Sequence, residues 1–367
     1  IIERVMQEVG KCRTDALIAE ILGTLDWLNW LENNAERLLK PEKVKTPITL
    51  LGKQSLLLHE PLGVVLIICP WNYPFHNAIT GIAAAIATGN TVVYKPSEHA
   101  PCKGLVEQVL ACSPMLQALV QVVYGDGSLG SALIDQQPAK IFFTGSGPTG
   151  SKIMAQASRE LIPVELELGG KDPMIVFADA PIARSVAGAL WGAFTNAGQS
   201  CSGVERLLVE HSVLDRFVDS LVQEAEKLVV RCGDNGDADI GRMTVGFQRD
   251  KVIEHVLDAL DRGARLRFGG IPDANSLTVQ PIILDRVTPD MRVWNEETFG
   301  PVLPIMAFSN EAHAIELAND THYGLCASVF SADAQRALRV AGALEVGGVS
   351  INNVNMSEGN PGLPFGG

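Results

Sequence analysis

Residues 140–150 read "KIFFTGSGPTG", and the reading of this stretch decides the fold. An apolar run forms a strand, glycines break it, and Pro148 suits the first turn of a following helix, where its missing N–H costs nothing. Strand, glycine loop and helix in succession aim free backbone N–H groups at an anion. Gly145-Ser146-Gly147-Pro148-Thr149-Gly150 matches GxGxxG literally, and the strand–helix setting gives that pattern its weight. The plain alternative is a glycine-rich turn that holds no ligand.

The same alternation extends in both directions. "GVVLIICP", "TVVYKP", "LVQVVYG" and "PVELEL" read as strands. Between the strands lie the helical stretches "HNAITGIAAAIATG", "CKGLVEQVLACS", "SLGSALIDQ" and "GSKIMAQASREL". Apolar strands separated by helices predict a parallel sheet covered on both faces, with sites beyond the C-terminal strand ends. Upstream, residues 1–40 carry leucines and isoleucines at helical spacing, and 48–58, "ITLLGKQSLLL", reads as a hairpin turning at "GK". Downstream of Gly169 a second strand–helix series begins, with a looser region at 232–290. The expected class is α/β. A Rossmann-like doubly wound domain covers 1–47 and 59–168, a small hairpin 48–58, and a second α/β domain 169–367.

Composition narrows the function. The 367 residues are 47% hydrophobic and carry a net charge of −13, which argues against a nucleic-acid or anionic-membrane surface. The longest apolar stretches fall short of the roughly 20 residues that a membrane span needs. Seven cysteines without a CxxC pair make a metal site or disulfide framework a poor reading and favour the cytoplasm.

Two groups compete for a cofactor ribose. An acid about 20 residues after a GxGxxG loop is the usual ribose partner, and Glu167 stands in that window. Lys95 and Glu98, at the end of the strand "TVVYKPSE", offer a cation and an acid at another strand end. Farther on, Cys201 lies in "NAGQSCSG". It is either a reactive thiol or a small residue in a turn.

Seven separated motifs then occur in one order: "PWNYP" (70–74), "KPSE" (95–98), "FTGS" (143–146), "ELGGK" (167–171), "GQSC" (198–201), "EETFGP" (296–301) and "PFGG" (364–367). Together they resemble the NAD(P)-dependent aldehyde dehydrogenase superfamily from about residue 45 onward. The resemblance implies NAD as cofactor, with NADP possible, and a small-molecule aldehyde as substrate. Cys201 is then the nucleophile, Glu167 the general base and Asn72 an oxyanion donor. Lys95 and Glu98 take the adenosine ribose, with Trp71, Ser97, Thr144, Gly145, Ser146 and Leu168 also at the cofactor. Glu297 takes the nicotinamide ribose, beside Phe299, and Phe365 lines the substrate pocket. The 48–58 hairpin becomes part of an oligomerisation sheet, which implies a homodimer or homotetramer. Against the family pattern both ends look short.

The implied chemistry explains the residue types. Thiolate attack on an aldehyde gives a thiohemiacetal that can lose hydride and leave a thioester. An amide donor stabilises the oxyanion, and a carboxylate activates the water that hydrolyses the thioester.

Overall fold

The computed structural model describes residues 1–231, 238–355 and 359–366; Cys232 and Gly367 lie outside the described residues. The chain forms two compact units, one of Ala19–Leu166 and one of Ile1–Ile18 with Glu167–Gly367. Among the described residues no helix is long and apolar enough to cross a membrane.

In the first unit, short apolar runs form the strands β3 (Val64–Ile68), β4 (Thr91–Lys95), β5 (Val120–Val122) and β6 (Lys140–Thr144), preceded by a pair, β1 (Glu42–Val44) and β2 (Ser55–Leu57). With β7 (Val164–Glu167) the sheet runs in the order β5-β4-β3-β6-β7. β3 pairs in parallel with both β4 and β6. The chain steps outward from β3 in one direction and returns to its other side, so the switch point lies between β3 and β6. Residues of β3 are nearly all buried, as in a strand covered on both faces. The expected Rossmann-like α/β unit is therefore present. Helix Pro74–Ala87 follows β3 with proline in its first turn, and Glu20 caps it, accepting from Phe75 N at 3.0 Å and His76 N at 2.9 Å.

The hairpin differs from its expected form. Its strands are β1 and β2, paired antiparallel from Glu42↔Leu57 to Val44↔Ser55, while Ile48–Leu50 is a 3-10 turn in the loop. Pro41 and Pro47 bound the first strand without entering it. The stretch "ITLL" lacks the polar alternation of a half-buried strand, and Ile48 and Leu51 are among the most exposed apolar side chains of the chain.

The second unit is built on seven strands. They are β8 (Asp172–Val176), β9 (Val204–Glu210), β10 (Arg265–Phe268), β11 (Ile282–Asp285), β12 (Val302–Phe308), β13 (Cys326–Phe330) and β14 (Gly348–Ile351), in the order β10-β11-β12-β9-β8-β13-β14. All neighbours are parallel except β10, which runs against β11. The region expected to be loose holds helix Gly246–Asp261 as well as β10 and β11. Val252, Val256 and Ala259 of that helix are buried, and Asp285 of β11 is buried and paired with Arg265 and Arg267.

Residues 1–18 pack into this second unit, not with the domain expected for 1–47. Gly10 ends helix Ile2–Val9 with φ 93°. Its carbonyl accepts from Arg242 N at 2.9 Å, and Val9 O accepts from Thr244 Oγ1 at 2.7 Å. A left-handed glycine thus breaks the helical pattern of 1–40, which resumes as the π-helical Ala16–Leu22 and the helix Gly23–Leu39.

Candidate active site

Strands β8, β9 and β12 are parallel, so their N-terminal ends share one edge of the second sheet. The loops that enter them carry "GGK", "GQSC" and "ETFGP". The expectation set sites at C-terminal strand ends, whereas these candidate loops lie at N-terminal ends. In this unit Cys201 and Glu297 precede their strands, and Glu167 alone closes one, β7.

Three glycines let the loops close together. A Cβ on Gly170 would stand 2.5 Å from the Cys201 carbonyl oxygen, and one on Gly169 would fall on the Glu297 carboxylate. A Cβ on Gly198 would fall on the Gly300 carbonyl. The structure thus brings "ELGGK", "GQSC" and "EETFGP" together. The closing motif joins them, since a Cβ on Gly366 would stand 3.3 Å from Glu167 Oε1. Phe365, beside it, is partly exposed. Leu168 lies half-buried between Glu167 and the glycine pair.

The turn ahead of Cys201 is strained. Helix Ile182–Phe194 ends at Thr195, and Asn196, Ala197 and Gly198 follow with φ of 51°, 55° and 71°. The left-handed region costs a residue with a Cβ roughly 1–2 kcal/mol, so such a turn persists only where its surroundings dictate it. Here they do. Asp15 Oδ2 accepts from Asn196 N at 2.8 Å, and Oδ1 accepts from Thr195 Oγ1 at 2.9 Å. The Asn196 side chain donates to Gln199 O at 3.0 Å, and Gln199 Nε2 donates to Asn196 O at 2.9 Å. Gln199 Oε1 accepts from Thr244 N at 2.9 Å. Gln199, Ser200 and Ser202 are buried, whereas Cys201 between them keeps partial exposure.

The "ETFG" turn hangs on a carboxylate that the sequence reading missed. Glu205, buried in β9, accepts from Thr298 N at 2.6 Å, Phe299 N at 2.7 Å and Lys171 Nζ at 2.5 Å. Phe299 is itself left-handed, with φ 52°. Lys171 also reaches Thr298 Oγ1 at 3.2 Å, and Thr298 meets His255 Nδ1 at 3.1 Å. The neighbouring Arg206 is buried too and donates to the carbonyls of Lys171, Leu317 and Ala318. The adjacent charges Glu205 and Arg206 inside the strand "VERLLVE", ahead of its terminal Glu210, were the available signal. Buried charges need partners, though a sequence does not name them.

These groups shape one another's titration. Burial lowers the Lys171 ammonium against the pull of Glu205. Burial and the Glu205 charge raise the Glu297 carboxyl to about 7. Burial, reinforced by Lys171, lowers His255 to about 4. Glu297 Oε1 accepts from Gly170 N at 3.2 Å, which ties it to the glycine pair.

The remaining candidates lie in the first unit. Trp71 and the buried Asn72 follow β3 directly. Lys95, buried at the end of β4, donates to Pro96 O at 3.2 Å and approaches the exposed Glu98 Oε2 at 3.5 Å. Ser97 is buried, and its Oγ accepts from His99 N at 3.3 Å. Thr144 closes β6, Gly145 follows it, and Ser146 stands at the N-terminus of helix Gly147–Ala157. Ser146 and Thr149 pair through their hydroxyls at 3.0 Å, and the first-turn N–H groups of this helix suit an anion. Three strand ends of one sheet thus present the residues expected at the cofactor. Glu165 instead pairs with Lys140 at 3.0 Å on the surface, which separates it from Glu167 two residues on.

The whole chain, residues 1–367, matches the family model described as "Aldehyde dehydrogenase family". A 4,4'-diapolycopene aldehyde oxidase from Methylomonas sp is 44% identical over 367 residues, which is 100% of this chain and 68% of that protein. The chain thus spans about two thirds of that relative's length. An NADP-dependent enzyme of E. coli superposes with a TM-score of 0.93 at 36% identity, over 100% of this chain and 76% of that one. The betaine aldehyde dehydrogenase of Staphylococcus aureus, solved in complex with NAD+, gives 0.90 at 32% identity, over 96% and 71%. With its motifs gathered as described and matches of this extent, the chain belongs to the aldehyde dehydrogenase family.

Proposed function

We propose that this protein oxidises an aldehyde to the carboxylic acid with NAD+, through a thioester on Cys201 hydrolysed by water that Glu167 activates. The observation that carries this reading is the packing of "GQSC" and "EETFGP" against the "ELGG" glycines, with Gly366 against the Glu167 carboxylate. In the proposed sequence Cys201 Sγ adds to the aldehyde carbon, and the Asn72 amide and the Cys201 backbone N–H are the donors for the oxyanion. Loss of one such donor costs about 2.7–4 kcal/mol in other enzymes. NAD+, when bound, takes the hydride. Glu167 then accepts a proton from the water that attacks the thioester, and Cys201 leaves as thiolate.

The residues present suit the dinucleotide. The anion-directed helix at Ser146–Gly147 suits its pyrophosphate. Lys95, with Ser97 and Glu98, suits a ribose, and Glu98 disfavours a 2′-phosphate by charge, so NAD is the first choice and NADP the second. Trp71, Thr144, Gly145 and Leu168 complete the proposed contacts on the adenosine and phosphate side, and Glu297 and Phe299 those on the nicotinamide side. The units are accordingly proposed as cofactor-binding (19–166) and catalytic (167 onward). The exposed Ile48, Leu51, Leu56 and Leu58 around the hairpin support an assembly surface for a homodimer or homotetramer.

The test is NADH formation across long-chain, aromatic and cationic aldehydes. Cys201→Ala is expected to abolish turnover, while Glu167→Gln accumulates acyl-enzyme that mass spectrometry detects at Cys201. Turnover retained by Cys201→Ala overturns the mechanism.

A further inference from the structure

We infer that Asp15, remote in sequence from every motif of the site, is a positioning residue that holds the Cys201 loop in its reactive geometry. The inference rests on the reading of Cys201 as nucleophile. Asp15 is buried, and both its oxygens are spent on the strained turn: one accepts from Asn196 N at 2.8 Å, the other from Thr195 Oγ1 at 2.9 Å. These are the two residues at which helix Ile182–Phe194 gives way to left-handed backbone.

A hydrogen bond from main-chain N–H to a carboxylate is short and directional, and it fixes Asn196 in the left-handed conformation that Ala197, without an asparagine's tolerance for it, must also hold. Asn196 then fixes Gln199 through two reciprocal bonds, and Gln199 lies two residues before the thiol. Asp15 is itself anchored, because its own N–H donates to Cys12 Sγ at 3.5 Å, and the preceding Gly10 is bound to Arg242. The clamp therefore runs from the Gly10–Asp15 segment through Asn196 and Gln199 to Cys201. Each link lies within one compact unit. The "EETFGP" side of the site has its own anchor in Glu205, so loss of Asp15 disturbs the thiol and spares the cofactor-side turn.

The experiment compares Asp15→Ala, Asp15→Asn and the parent enzyme. Readouts are kcat, KM for NAD+, and the rate of Cys201 alkylation by iodoacetamide followed by mass spectrometry. Asp15→Ala is expected to lower both kcat and the alkylation rate at least tenfold, with KM for NAD+ within twofold. Asp15→Asn keeps an acceptor for Asn196 N–H and is expected to recover most of both rates. Should Asp15→Ala fail to fold, Thr195→Val removes one of the two bonds and is expected to give a three- to tenfold loss in the same two rates. Unchanged alkylation in a folded Asp15→Ala overturns the inference, as does a loss confined to KM for NAD+. Cys201→Ser, run beside these variants, reads the underlying assignment separately: its full retention of turnover would remove the nucleophile and not the clamp.

Discussion

Gly198→Ala is a stringent perturbation of this site, because its cost can be worked out from backbone alone. Gly198 has φ +71°, and the new Cβ would fall on the Gly300 carbonyl and 2.9 Å from Pro301 N. Neither neighbour can yield cheaply. Pro301 O is bound to Ile282 N at 2.8 Å and Gly300 O to Val302 N at 2.7 Å, so the turn is stitched to the entry of β12. The left-handed backbone costs alanine about 1–2 kcal/mol. Overpacking against a well-held neighbour adds about 1–3 kcal/mol, for a total of roughly 2–5 kcal/mol. Each kcal/mol shifts Tm by about 2–4 °C in a unit of this size, so a drop of roughly 4–20 °C is expected. Either the Cys201 loop or the Gly300 loop must also move, so turnover falls with stability. Thermal and urea unfolding measure the first effect and NADH formation the second. A variant within 1 °C of the parent and fully active would refute the claim that these loops touch through backbone.

Substitutions at two further positions test the buried charges. Glu205→Ala leaves Lys171 and two main-chain N–H groups buried without their acceptor. Breaking a buried pair this way costs about 3–5 kcal/mol, read as a shift in the urea midpoint, whereas Glu205→Gln keeps an acceptor and should cost less. Equal, small effects from both would deny Glu205 its role. Glu297→Gln tests pH dependence. Because the folded carboxyl is raised from 4.5 to about 7, its contribution is fully present below the unfolded pKa and is lost as pH rises through about 7. That loss is on the order of 3 kcal/mol. The variant should therefore unfold with a flatter pH profile between 4.5 and 7.5, and parallel profiles would contradict the assignment.

Much of the architecture was legible because its signals are local. Each buried parallel strand is a short apolar run, and "VVLII" or "PMIV" cannot stay in water whatever surrounds them. The glycine loop after β6 announced itself by its setting. What escaped needed pairings that no local pattern carries. That the loops carrying Cys201 and Glu297 enter the sheet along one edge follows from the directions of β8, β9 and β12, known once they are seen parallel. Glu205 was visible as a charge in an apolar strand, yet its partners Thr298 and Phe299 lie more than ninety residues away. Asp15 carried no signal, since one acid in a helical pattern reads as a solvated face. The hairpin was misplaced because the exposed "ITLL" looks like strand by composition alone.

The return of residues 1–18 to the second unit has a consequence in time. Asp15 and Asn196 are 181 positions apart, and at about 5–20 residues per second the ribosome needs roughly 10–35 s to make the second after the first. Through that interval Asp15 waits for Asn196, while Ala19–Leu166 is continuous and can close upon itself. Protease resistance in chains halted after residue 166, limited to 19–166, is the expected signature. The interrupted unit then matures last, so the strained turn before Cys201 tightens after the continuous unit is already built. A nascent chain would thus carry the five-stranded sheet before the turn that holds Cys201.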